Sequence, residues 1–181
     1  MDLKIRERLN RKYNRWMQKA ANLWFREVIS TPPLPTDPTS ETILYCALSG
    51  NACRQFITAA KSFVRYCPDV CVVAQSDGTL TDRHAKEIRA HLPGCLVLSK
   101  VDMFDMMREA ISAQLRRVLP PLEEYATHTS IRIMYLKFLN PILRFNGKKI
   151  VIIDSDILFM RRPDFIIDWI RRPYAHDFYG E

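Results

Sequence analysis

The stretch that decides the fold is "KKIVIIDSDILFMRRP", Lys148 to Pro163. Four β-branched apolar residues run straight into Asp-Ser-Asp, and then the chain becomes apolar again. A short apolar run of this kind reads as a buried strand. Two carboxylates beside a buried strand cost free energy unless something pairs with them. In an extended segment, residues two apart face the same way, so Asp154 and Asp156 are expected to converge while Ser155 faces elsewhere. Two carboxylates with no Cys or His nearby suit a hard ion, Mg²⁺ or Mn²⁺, better than Zn²⁺. Such an ion keeps waters and takes phosphate oxygens, so a diphosphate would complete its shell. The bland alternative is a strand-end turn whose aspartates cap the next segment.

Upstream of this stretch, strands and helices alternate. "TILYCALSG" (42–50) predicts a buried strand and a turn at Gly50. "CRQFITAAKSFVRYC" (53–67) has helical period, with Phe56, Ala59, Ala60, Phe63 and Val64 on one side. "DVCVVAQSDG" (69–78) predicts a second strand and turn. "TDRHAKEIRAHL" (81–92) predicts a short polar helix capped by Thr81. After a Pro93-Gly94 turn, "CLVLSK" (95–100) predicts a third strand. Residues 103–118 are expected to form a helix ended by Pro120-Pro121. "SIRIMYLKFLNPIL" (130–143) is apolar enough for a core helix, stopped or kinked near Pro141. "GKKIVIIDSD" is then the fourth strand. This order predicts an α/β, Rossmann-like, mostly parallel sheet with helices on both faces. A ligand is expected at the carboxyl ends of the strands, near a topological switch point, where Ser49-Gly50, Asp77-Gly78 and Asp154-Asp156 all fall.

The chain has 181 residues, with 48% apolar and 26% charged, as expected for a globular domain. The net charge is +7, and most of the excess lies in residues 1–30, where eight basic residues face three acidic ones. Residues 2–29 predict one amphipathic helix carrying Trp16 and Trp24 among basic residues. Such a helix suits either packing on a partner or peripheral contact with an anionic membrane. The Pro-rich segment 31–40, "TPPLPTDPTS", admits no helix or strand interior and is placed as a linker, so the folded domain is 41–181. The five cysteines include no C-x-x-C pair and read as buried apolar residues of a reducing compartment. With no apolar run long enough to span a bilayer and a highly charged start, the expected location is cytoplasmic. The confinement of basic charge to one helix argues against nucleic acid as a partner.

"KKIVIIDSDILFMRRPDFI" resembles the core of glycosyltransferases of the nucleotide-diphospho-sugar transferase superfamily, the GT-A fold. There a buried strand ends in Asp-x-Asp, followed by an apolar segment, basic residues and Pro. Here these are Asp154-Ser155-Asp156, Ile157-Leu158-Phe159, Arg161-Arg162 and Pro163. "ILYCALSGN" resembles the family's first strand, and "YLKFLNPIL" resembles the helix before the motif in glycogenin-like members. The resemblance spans roughly residues 42 to 170. It implies sugar transfer from a nucleotide-sugar donor, a UDP-sugar by preference, to an acceptor of unknown kind, with Mn²⁺ or Mg²⁺ as cofactor. It implies that Asp156 is the more direct metal ligand and that Asp154 shares the metal or holds the ribose. By the same likeness the Ser155 backbone touches the ribose, and Lys137 holds the donor's phosphate or sugar. Ala47, Leu48 and Ser49 would frame the base, with Asp77 as a further base or ribose contact or a plain turn residue. Family members continue past this point into an acceptor half, which often carries a His as third ligand. His176 does not match that place, and with His84, His91 and His128 it is read as an ordinary surface or loop histidine.

Two rival readings stand beside this one. "QSDGTLTD" (75–82) resembles the first motif of haloacid-dehalogenase-type phosphatases, but Gln75 stands where the nucleophilic Asp belongs. The chain also suits a non-catalytic donor-binding domain or a membrane-docked interaction domain of the same fold.

Overall fold

The computed structural model describes residues 27–99 and 135–172. Four strands form one parallel sheet: β1 (Thr42–Leu48), β2 (Cys71–Ser76), β3 (Leu96–Leu98) and β4 (Lys149–Ile152). Their order across the sheet is β3-β2-β1-β4. Ile43 pairs with Cys71 and Leu48 with Ser76, Tyr45 pairs with Ile152, and Gln75 with Leu98. The chain moves outward from β1 to β2 to β3 and then returns to the other side of β1. This is the Rossmann-like α/β arrangement expected, and its switch point lies between β1 and β4.

Alternation along the strands divides the core in two. Leu44, Cys46, Leu48, Val72 and Ala74 point to one face. There they pack against Phe56, Ala60 and Phe63 of α1 (Cys53–Val64), Ile88 of α2 (Asp82–His91) and Ile167 of α4 (Asp164–Arg171). Ile43, Tyr45, Cys71, Val73 and Leu98 point to the other face, where Phe145 packs just after α3 (Asn140–Arg144). All five cysteines are free and buried, as expected. Burial pushes the thiols of Cys46, Cys53 and Cys95 up to about 12, so they behave as small apolar side chains.

Local signals explain the helix ends. The Thr81 hydroxyl accepts from the backbone N–H of His84, and His84 Nδ1 accepts in return from the Thr81 N–H at 3.2 Å. This is a capping box with His in place of Glu or Gln. An accepting Nδ1 leaves the ring proton on Nε2. Gly50 is required beneath it, since a Cβ there would lie 2.7 Å from both the His84 ring and the Thr79 carbonyl oxygen. At the far end of the domain, Lys149 Nζ donates to the carbonyls of Trp169 and Ile170, at 3.2 and 2.5 Å, and to that of Arg172. A strand lysine thus satisfies the open carbonyls at the end of α4.

The Pro-rich segment has no helix or strand interior, and its backbone is tied along the domain. Leu34 N–H donates to the His91 carbonyl, Thr36 to that of Pro93 and Asp37 to that of Val70. Lys61, buried near the end of α1, donates to the Thr31 hydroxyl at 2.5 Å and the Pro32 carbonyl at 2.6 Å. Desolvation holds its pKa below the usual lysine value.

Several expectations need correction. β4 is half-buried along its whole length rather than a buried strand, because among the described residues it lies at an edge of the sheet. The expected core helix 130–143 is described only from Tyr135. The first described turn, Tyr135–Leu139, is π-helical, and two large apolar side chains of the described part, Phe138 and Ile142, are exposed. His91 is not a surface residue: it is buried at the end of α2, and its Nδ1 has no hydrogen-bond partner. The expected helices 2–29 and 103–118, together with His128 and His176, lie outside the described residues, except that Glu27–Ser30 form a 3-10 turn. No helix of the described residues is long and apolar enough to cross a membrane.

Candidate functional site

The carboxyl ends of β1 and β4 flank the switch point, and Asp-Ser-Asp begins there. Ile153 N–H still donates to the Tyr45 carbonyl at 2.9 Å, so the chain stays in register with β1 until just before Asp154. It then turns, and the Ile157 N–H donates to the Asp154 carbonyl at 3.2 Å. Asp154, Ser155 and Asp156 therefore form a tight turn rather than an extended segment, and the two-residue periodicity expected for the pair does not apply. Both carboxylates are exposed. The burial cost that the sequence suggested does not arise, because the strand ends at the sheet edge and opens onto solvent.

A cation is nevertheless at hand. Lys137 Nζ forms an ion pair with Asp154 Oδ1. The two residues are 17 apart in sequence and stand on different elements. Their side chains are 28% and 51% exposed, so solvent screens the pair and it contributes little to stability, roughly 0.5 kcal/mol. Cys46, buried in β1, feels the charges of this turn. Its thiol is raised first by burial and then by the negative charges of Asp154 and Asp156, while Lys137 works in the opposite direction. Asp154, Asp156 and Lys137 thus all act at the carboxyl end of β1.

The other expected contacts divide. Ala47 and Ser49 are half-buried at the end of β1, and Ser155 is half-buried in the turn. Leu48 is different: its side chain belongs to the core, and its carbonyl already accepts from the Asp77 N–H at 3.1 Å. Asp77 Oδ1 accepts from the backbone N–H and the hydroxyl of Thr79, at 2.9 and 2.7 Å, in an Asx turn leading through Gly78 at φ +106°. Thr79 Oγ1 in turn accepts from the Gly50 N–H at 2.8 Å, which joins the loops after β1 and β2. Gln75, which stands where a phosphatase nucleophile would, is fully buried with its amide engaged on both ends.

That engagement belongs to a feature the sequence reading missed. Asn140 is buried, and its Nδ2 donates to Tyr45 Oη at 3.0 Å and to Gln75 Oε1 at 2.9 Å. Gln75 Nε2 donates onward to the Ser99 carbonyl at 3.0 Å. Burial raises the Tyr45 hydroxyl well above the ordinary tyrosine range, against which the Asn140 bond works. The network fastens the helix bearing Lys137 to β1 and β2 and leaves no amide hydrogen of Asn140 unused. Its sequence signal was present: Gln75 is an amide closing the apolar run 71–74, and Asn140 is an amide flanked by apolar residues at 138–139 and 141–143.

No cluster of three or more His, Cys, Asp or Glu capable of holding a metal exists among the described residues. The donor set is two exposed carboxylates. It does not make a closed metal cage. Carboxylate oxygens in one exposed turn are the donor type that Mg²⁺ or Mn²⁺ takes, with water and other oxygens completing its shell. In comparisons with protein-family models, curated proteins and solved structures, the chain matches none.

Proposed function

We propose that this chain binds a nucleotide-sugar through its diphosphate and transfers the sugar to an acceptor, as a metal-dependent glycosyltransferase of GT-A type. The reading is carried by one observation: Lys137 and Asp154 meet at the switch point of a Rossmann-like sheet, with Asp156 in the same turn. Asp154 and Asp156 would hold Mn²⁺ or Mg²⁺. When bound, the ion supplies charge neutralisation of the leaving diphosphate. Lys137 adds a second positive charge beside the leaving group, where negative charge grows as the glycosidic bond breaks. Its ammonium is already placed by the ion pair, so little reorganisation is needed when phosphate replaces or joins the Asp154 carboxylate. Ala47 and Ser49, half-buried at the end of β1, would frame the base. The exposed apolar residues Ile157, Leu158 and Met160, directly after the turn, offer a surface on which a donor or acceptor can rest.

The test is release of UDP from a panel of UDP-sugars in the presence of Mn²⁺, with and without EDTA. Metal-dependent release, lost in Asp156→Asn, supports transfer to water or acceptor. Binding of UDP with no release from any donor would reduce the protein to a donor-binding domain.

A further inference from the structure

Lys137 is half-buried and reaches Asp154, while its own helix is fastened to the core one turn later, at Asn140. In a continuous α-helix, residues 137 and 141 lie on the same face, one above the other. Pro141 is buried. Regular α geometry would therefore set Lys137 directly above Pro141, and any change of helix phase between the two rotates its ammonium relative to Asp154. The phase of the helix at Asn140 is not free to adjust, because its amide is held by Tyr45 and Gln75.

The helix changes its phase just before Asn140. Tyr135–Leu139 is a π turn, and α geometry resumes at Asn140–Arg144. A π turn closes on the fifth residue rather than the fourth, so side chains within it are rotated relative to those beyond. Its cause is in the sequence. An α-helix needs the N–H of residue 141 to donate to the Lys137 carbonyl. Proline has no N–H, and its ring crowds the carbonyl four residues back. The helix opens at this point, and the opened turn contains Lys137.

We propose that Pro141 is a positioning residue for the donor site: by opening the π turn it aims Lys137 at Asp154. This rests on the donor-site reading above. Pro141 touches no ligand, and its effect passes through Lys137. Restoring an N–H at position 141 allows the turn to close to α and swings the ammonium off Asp154.

The experiment is a double-mutant cycle of Pro141→Ala and Lys137→Met, read by calorimetric titration of UDP with Mn²⁺ and by the ¹⁵N ammonium resonance of Lys137 in the free protein. Pro141→Ala is expected to weaken UDP binding about tenfold, the size of one charge-assisted hydrogen bond. In the Lys137→Met background the same change is expected to have no effect. A merely structural role would weaken both backgrounds alike, and that result overturns the proposal, as does unchanged binding in Pro141→Ala alone. If the parent protein binds no UDP at all, the donor-site reading fails, and the resonance still decides the geometry. A paired ammonium signal lost in Pro141→Ala supports the positioning role; a signal unchanged by it overturns that role.

Discussion

The two halves of the sheet are built differently. On the β1–β2 side, Tyr45, Val73 and Phe63 are fully buried, and α1 lies across the strands with its apolar face. On the β4 side, every strand residue is half-buried, and the segment after it leaves Met160 and Phe165 more than 70% exposed. The first half holds the fold together. The second carries the charged turn at modest cost, because its carboxylates never leave water. The proposed diphosphate site would benefit from that division, since exposed groups could exchange partners for metal and phosphate without disturbing the core.

Breaking the comparison from the core side should have the largest effect. Phe63→Ala removes a fully buried ring that also packs edge-to-face on Phe159 at 5.1 Å. We expect a loss of about 3–5 kcal/mol in chemical denaturation. The polar network comes next. Asn140→Leu strips the donor from both Tyr45 Oη and Gln75 Oε1, for a loss of about 2–4 kcal/mol, and adding Tyr45→Phe should recover part of it. Lys149→Met removes the donor to the end of α4 and should cost about 1 kcal/mol, less at high salt. On the exposed side, Asp154→Asn with Asp156→Asn should change stability by no more than about 0.5 kcal/mol. A double variant that is markedly destabilised would erase the distinction between the two halves.

The smallest effect concerns pH. His91 is buried, and desolvation lowers its pKa below 6.5, helped by the positive charge of Lys61 and opposed by Glu87. The unfolded chain therefore binds more protons than the folded one between the folded pKa and 6.5. Stability should be full above pH 6.5 and decline as pH falls through that window. His91→Gln should flatten this part of the stability–pH curve, and a curve of unchanged slope would show that another group is responsible.

Much of the scaffold was legible because strong signals agreed. The β-branched runs, the Thr81 cap and the turns at Gly78 and Gly94 all fall where the strands and helices begin or end. Where the reading failed, two physical situations shared one pattern. An apolar run such as "IVII" (150–153) is written alike for a buried strand and for an edge strand partly covered on both faces. Likewise "DSD" fits both an extended strand end and a turn, since Asp and Ser favour turns but no Gly or Pro fixes one, and the chain takes the turn after Asp154. The apolar run 130–143 suggested a core helix, whereas in its described part, from Tyr135 on, Phe138 and Ile142 face solvent. Lys137 and Asp154 were each marked by the family resemblance. Their ion pair, and the amide network beneath it, depend on contacts between distant segments that no local pattern encodes.

The most direct test of the central claim is calorimetric titration of UDP into the protein with Mn²⁺, with EDTA, and in the Asp154→Asn, Asp156→Asn double variant. The account predicts saturable binding that requires the metal and disappears in the double variant while its unfolding curve stays unchanged. Equal binding with EDTA or in the double variant, or no binding of UDP by the intact protein, would contradict it.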